Sequence, residues 1–150
     1  MADRTWYSRK QGDAVPTIHM EVRGNATYRQ EFEFQPVDAN NADTGNPEDF
    51  TNWSETSFRL VFSDAYGGSE ISGATAVGGT DIFISGDATD GKLLVKLTTT
   101  QTAALEAHLE TAGNTSRGTV KGRLYGTDGN GDTRTLCTAE VRVHFGTVAS

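Results

Sequence analysis

The segment Asp128-Gly-Asn130-Gly-Asp132 places three oxygen-bearing side chains at alternate positions. Alternate residues can converge on one hard cation, which is how a calcium-binding loop begins. The pattern then departs from such a loop, because position six is Thr133 instead of glycine and position twelve is Ala139 instead of a bidentate glutamate. We therefore interpret the segment as an exposed hairpin loop of turn-forming residues, and keep calcium binding as the alternative.

The histidines and the cysteine indicate no catalytic or metal chemistry. His19, His108 and His144 are far apart, and none has a metal-ligand spacing, so each is expected to be an ordinary surface histidine. Cys137 falls on the inward phase of an alternating segment, where a thiol behaves as a small apolar group. No nucleophile elbow or phosphate-binding loop occurs. The sequence predicts no enzyme activity, no catalytic residues and no cofactor.

Aromatic residues in the loops offer a different chemistry. Trp53 and Tyr66, with Tyr125, could stack against a sugar, which makes Trp53 and Tyr66 candidate loop contacts. Packing in the core or within the loops is the favoured interpretation. A carbohydrate- or receptor-binding module, assisted by calcium at 128–132, is therefore the alternative function.

The polar N-terminal segment also carries large aromatic residues, Trp6 and Tyr7, followed by Arg9 and Lys10. Two alternatives explain them. The segment folds back on its own domain, or these four residues anchor it on a partner, because aromatic residues are preferred interface anchors. We treat residues 1–22 as an extended arm, 23–146 as the folded domain and 147–150 as a tail.

Length and charge exclude several classes of protein. A chain of 150 residues suits one domain, and a net charge of −7 with a pI near 4.8 argues against nucleic acid or an anionic membrane as partner. Residues 38–90 hold ten acidic residues and one basic residue. A solvated acidic surface is the favoured interpretation, and docking of the basic arm on the acidic body of a neighbouring copy is the alternative. The start has no apolar signal segment, so we expect synthesis in the cytoplasm without secretion by a signal peptide.

The elements that must position these residues are strands. Apolar residues alternate with polar ones in six segments, and a seventh strand is indicated near Ile18. Their inward residues include Phe32, Phe34, Phe58, Leu60, Phe62, Ile82, Leu93, Val95, Val120, Leu124, Val141 and Val143. Residues 99–112 fit one short helix, with a threonine cap and Gly113 at its end. The predicted fold is an all-β, immunoglobulin-like antiparallel sandwich of about seven strands with one helical crossover.

The order of five motifs resembles a known family. The motifs are RGNATY at 23–28 with the aromatic strand 28–34, DFT at 49–51 with SFRLVF at 57–62, DGKLLVKLTTTQTAAL at 90–105, KGRLYGTDGNG at 121–131, and TRTLCTAEVRV at 133–143. In this order they resemble small tailed-phage virion domains similar to the N-terminal domain of the baseplate upper protein. The resemblance covers about residues 23–145.

The resemblance implies an immunoglobulin-like domain without enzymatic activity. It implies a structural role in a tailed-phage virion, as a tail, baseplate or neck component or as a capsid decoration protein. The expected partners are other virion proteins (capsid, neck or tail) and copies of the chain itself, as a homo-oligomer in the particle.

Overall fold

Nine strands and one α-helix are formed by the residues that the structure describes. The computed structural model describes residues 4–8, 17–36, 48–65 and 68–146, with the backbone alone for 4–8, 35 and 36. The strands are β1 (Arg4–Ser8), β2 (Thr17–Arg23), β3 (Tyr28–Pro36), β4 (Arg59–Ser63), β5 (Ala76–Val77), β6 (Ile82–Ser85), β7 (Lys92–Leu97), β8 (Arg117–Thr127) and β9 (Thr133–His144). The helix α1 spans Thr99–Thr111, and short 3₁₀ turns lie at Glu55–Ser57 and Ala88–Asp90.

The strands form two sheets, in the orders β1-β3-β7-β6 and β2-β9-β8-β4-β5. Read as A, A′, B, C, C′, D, E, F and G along the chain, these are the ABED and A′GFCC′ sheets of an immunoglobulin-like sandwich. β1 pairs with β3 and β2 with β9 in parallel, and the other named strand pairs are antiparallel. A hairpin forces two strands to run antiparallel. β1 and β2 each join the edge of a sheet without a hairpin, so they can pair in parallel.

One apolar core lies between the sheets. The strand alternation predicted from sequence is confirmed: β2 and β8 bury every second residue, and β3 buries Phe32 and Phe34. The core also contains Phe50, Phe58 and Phe62. The all-β sandwich is therefore confirmed. The described residues form nine strands instead of the expected seven, because the five-residue β1 and the two-residue β5 are too short to produce a periodic signal.

The N-terminal boundary expected at residue 22 falls inside β2. Ile18, Met20 and Val22 are almost fully buried in the core, and β2 continues to Arg23 beside β9. Residues 17–22 are thus part of the sandwich and not of an arm. The alternation over these three apolar residues was the sequence signal for this, and it ends at the first turn-forming glycine, Gly24.

Helix α1 closes one end of the sandwich as the crossover from β7 to β8. The Thr98 hydroxyl accepts the Gln101 amide, and the Gln101 side-chain oxygen accepts the Thr98 amide at 2.6 Å, which forms a capping box. Gly113, with φ of 101°, follows the last turn in the left-handed region that favours glycine. The predicted helix at about 99–112 is confirmed. Within the described part of the chain, no helix is long and apolar enough to span a membrane.

Candidate functional site

The outer face of the five-stranded sheet is basic although the chain is acidic. We call this surface the basic face: the outward side chains of β2, β4, β8 and β9. Its charged members are Arg23, Arg59, Arg117, Lys121, Arg123, Arg142, Glu21 and Glu140. Six basic and two acidic residues give this face a formal charge of +4, whereas the whole chain carries −7. The remainder of the chain therefore carries −11.

Ion pairs cross-link the β2–β9–β8 half of the basic face. The Lys121 ammonium lies 3.1 Å from the Glu140 carboxylate, and Glu21 accepts from His144 at 2.8 Å. The hydrogen bond from Lys121 holds the pKa of Glu140 below its ordinary value. The hydrogen bond from His144 does the same for the pKa of Glu21, aided by the charge of Arg142. These two carboxylates therefore stay ionised and form ion pairs that link the three strands.

Two arginines of the basic face are available to a partner. Within residues 17–36, 48–65 and 68–146, no carboxylate lies within ion-pair distance of Arg117 or Arg123. The Arg123 guanidinium lies over the Tyr125 ring, 4.4 Å from its centroid. Beside this stack is a depression of about 400 Å³, lined also by Val61, Thr138 and Glu70, whose carboxylate accepts the Thr75 hydroxyl. Arginine stacked on an exposed aromatic ring is a preferred composition for a protein-binding surface.

The opposite charge collects at one end of the sandwich. We call this surface the acidic end, and its members are Asp49, Asp87, Asp90, Asp128 and Asp132. These residues lie in three segments that backbone hydrogen bonds connect. The Phe50 amide donates to the Ala88 carbonyl, and the Ser54 amide donates to the Thr127 carbonyl. Each segment is a tight turn in which a carboxylate accepts a local amide, as Asp49 does from Thr51 at 2.9 Å.

The calcium candidate belongs to this acidic end. Asp128 Oδ1 accepts the amides of Asn130 at 2.9 Å and Asp132 at 3.0 Å. The spacing that resembled a cation loop is thus accounted for by a side chain that closes its own turn. Within the part of the chain that the structure describes, no group of three or more histidine, cysteine, aspartate or glutamate residues is placed to hold a metal ion.

Trp53 lies in the core and not on a binding loop. Only 8% of its surface is exposed. Its indole stacks on Phe58 with centroids 5.7 Å apart, meets Phe50 edge-on at 5.1 Å, and lies 5.0 Å from the Arg134 guanidinium. These neighbours occupy the ring faces that a sugar would need, so Trp53 is a packing residue, as the favoured interpretation had it. Tyr66, the other candidate loop contact, lies outside the described residues.

The proposed arm residues are only partly described. The backbone of Trp6 and Tyr7 lies in β1, in register with Phe34 and Gln35 of β3. Arg9 and Lys10 lie outside the described residues. The backbone pairing corresponds to the alternative in which the segment folds back on its own domain.

The side chains of His144, His108 and Cys137 make packing or ion-pair contacts within the fold. His144 contacts Glu21, and His108 of α1 lies 2.6 Å from Asp64, which ties the helix to the loop after β4. Cys137 is fully buried, and burial raises the pKa of its thiol far above the usual range. A thiol in this state is not a nucleophile at neutral pH.

Hydrogen bonds join the 23–28 motif to helix α1. In the turn after β2, Asn25 has a left-handed backbone with φ of 59°, and its amide donates to Glu106. The other carboxylate oxygen of Glu106, which is 5% exposed, accepts the Gly146 amide at 2.6 Å. The Thr102 hydroxyl donates to Ala26. The 23–28 turn, helix α1 through Thr102 and Glu106, and Gly146 after the end of β9 therefore form one hydrogen-bonded unit.

A second unit holds the loop between β5 and β6. The Gln101 side-chain amide donates to the Thr75 carbonyl and to the buried Asp81 carboxylate, while Asp81 accepts the Val77 amide. Gln101 thus caps α1 and anchors this loop at the same time.

Sequence reasoning missed the basic face. It placed the accessible positive charge in the arm, on Arg9 and Lys10. The signal was present, because Lys121, Arg123 and Arg142 all fall on the outward phase of alternating strands. What the sequence lacked was the strand order, which places β8 and β9 side by side and adds Arg59 from β4.

Known proteins offer a limited comparison. No protein-family model matches the chain. No curated protein matches it. Among solved structures it is similar to the N-terminal domain of phage TP901-1 ORF48, with 14% sequence identity, 95% of this chain and 98% of that chain covered, and a TM-score of 0.35. Function is therefore inferred from the residues and contacts of this chain.

Proposed function

We propose that the chain is a non-enzymatic structural protein of a tailed-phage virion, and that it docks on neighbouring virion proteins through the basic face. The phage context comes from the ordered motifs over about residues 23–145 and the family they resemble. The docking role is carried by one observation: a formal charge of +4 on one sheet face of a chain whose net charge is −7. Such a separation favours an acidic protein surface as partner and steers its approach.

The internal hydrogen bonds and core of the sandwich suit a structural component of a particle. Glu106 and Gln101 connect loops that are distant in sequence into hydrogen-bonded units at the α1 end. The two sheets share one continuous core. A sandwich with one charged sheet face suits repeated docking in a symmetric particle, where many copies make individually weak contacts sufficient.

The carbohydrate-binding alternative has weaker support. Its principal ring, Trp53, is enclosed by Phe50, Phe58 and Arg134. The Asp128 carboxylate of its calcium loop is engaged with its own turn amides. We therefore prefer the docking role.

Particle composition tests the proposal. Virions of the phage that encodes the chain would be purified, and the chain quantified against the major capsid protein by mass spectrometry. A fixed copy number per particle is the expected result, with Arg117→Gln/Arg123→Gln reducing incorporation. A matched control, Lys92→Gln/Lys96→Gln, removes the same charge from the other sheet and should incorporate normally. Absence of the chain from the particle would overturn the proposal.

A further inference from the structure

The basic face and the acidic end lie on different parts of the same chain. The basic face comprises the outward side chains of β2, β9, β8 and β4, and the acidic end comprises the tip of the β8–β9 hairpin and the turns around Asp49 and Ala88. Because the two surfaces lie apart on one molecule, they do not contact each other within it. The basic face of one copy can contact the acidic end of the next copy, head to tail.

We propose that the basic face of one copy binds the acidic end of a second copy of this chain. This inference rests on the proposed function and names one of its partners. Charge complementarity selects the occupant: Arg117 and Arg123 have no carboxylate partner among the described residues, and Asp87 and Asp132 have no cationic partner there. Each surface therefore presents charge that is unmatched among the described residues.

The geometry of both surfaces suits this contact. The acidic end consists of narrow turns, and its tip at 128–132 closes on itself through the Asp128 carboxylate. The basic face has a depression beside the Arg123–Tyr125 stack, and Glu70 also lines this depression. The 128–132 turn placed against the Arg123–Tyr125 stack would bring the Asp132 carboxylate to Arg123. Because the contact joins two different surfaces, it propagates into a ring or an open stack and does not stop at a symmetric dimer.

The test is self-association of the purified full-length chain by sedimentation velocity, at concentrations up to about 100 µM. Sodium chloride would be varied from about 20 mM to about 0.5 M, because surface charge contacts weaken as screening increases. Two neutralising variants isolate the surfaces: Arg117→Gln/Arg123→Gln for the basic face and Asp87→Asn/Asp132→Asn for the acidic end. Lys92→Gln/Lys96→Gln is the matched control, and circular dichroism with thermal melting confirms that each variant is folded.

We expect the wild type and the control to form species larger than a dimer at low salt and to dissociate at high salt. Each neutralising variant alone should associate about tenfold or more weakly. An equimolar mixture of the two should form a dimer and stop there, because each partner retains one intact surface. A wild type that is monomeric under all conditions would overturn the inference. So would association that persists in either neutralising variant, or a mixture that fails to form the dimer.

These results are distinguishable from failure of the proposed function. A chain that remains monomeric in solution and is still present in the virion at fixed copy number refutes the self-contact alone. A chain that associates in solution and is absent from the virion refutes the structural role alone.

Discussion

Glu106 is the buried carboxylate on which the α1 end of the sandwich depends, and Glu106→Ala is the most informative single substitution. It removes the acceptor of the Gly146 amide at 2.6 Å and of the Asn25 side-chain amide at 3.2 Å. Hydrogen bonds to a charged group contribute about 1.5–3 kcal/mol each, and donors left buried add a desolvation cost. Removal of a buried charge offsets part of this, so we expect a loss of about 2–4 kcal/mol in the free energy of unfolding.

Urea denaturation followed by tryptophan fluorescence measures this loss. With a slope of about 2 kcal/mol/M, the midpoint should fall by about 1–2 M, without a change in slope. Glu106→Gln, which keeps an acceptor oxygen, should lie between wild type and Glu106→Ala. Glu110→Ala is the matched control: it lies one turn further along α1 and is exposed, so its effect should stay within about 0.5 kcal/mol. If Glu106→Ala is no more destabilising than Glu110→Ala, the buried network is not what stabilises this end.

Three further perturbations probe other parts of the structure. Gly126→Ala would place a methyl group 2.6 Å from the Phe58 ring, and this overpacking should cost about 1–3 kcal/mol in a urea titration. The thiol of Cys137 should not react with a thiol reagent in the native protein and should react fully in denaturant, and rapid native labelling would contradict its burial. Glu21 has a folded pKa below its unfolded value, so it stabilises the protein above the unfolded pKa of about 4.3, and this contribution is lost as the pH falls through the folded pKa. The melting-temperature difference between wild type and Glu21→Gln should therefore be small at neutral pH, because the pair with His144 is exposed, and should vanish at lower pH; a difference that grows on acidification would contradict the assignment.

The sandwich could be predicted from the sequence because its strands alternate clearly. Phe32 and Phe34 in β3, and Val141 and Val143 in β9, face inward as the period of two requires. The helix was equally predictable, since its threonine cap and terminal glycine are local signals. Strand boundaries and edge strands were harder to predict, because β5 has two residues and β1 pairs with a strand more than twenty residues away.

The candidate site was harder to predict because it depends on strand order. Arg59 and Arg123 are 64 positions apart and become neighbours only when β4 pairs with β8, which a single sequence does not specify. Trp53 was favoured as a packing residue from the sequence, and it is buried. Its contacts with Phe58 and Arg134, which specify how it packs, could not be predicted from a single sequence.

Docking of this sandwich in a virion through its basic face can be tested by an electron-microscopy reconstruction of the particle. We expect density for the sandwich at a fixed, symmetry-repeated position, with Arg117, Arg123 and Tyr125 buried against an acidic surface of a neighbouring protein. Density in which the outer face of the five-stranded sheet points to solvent in every copy would contradict it.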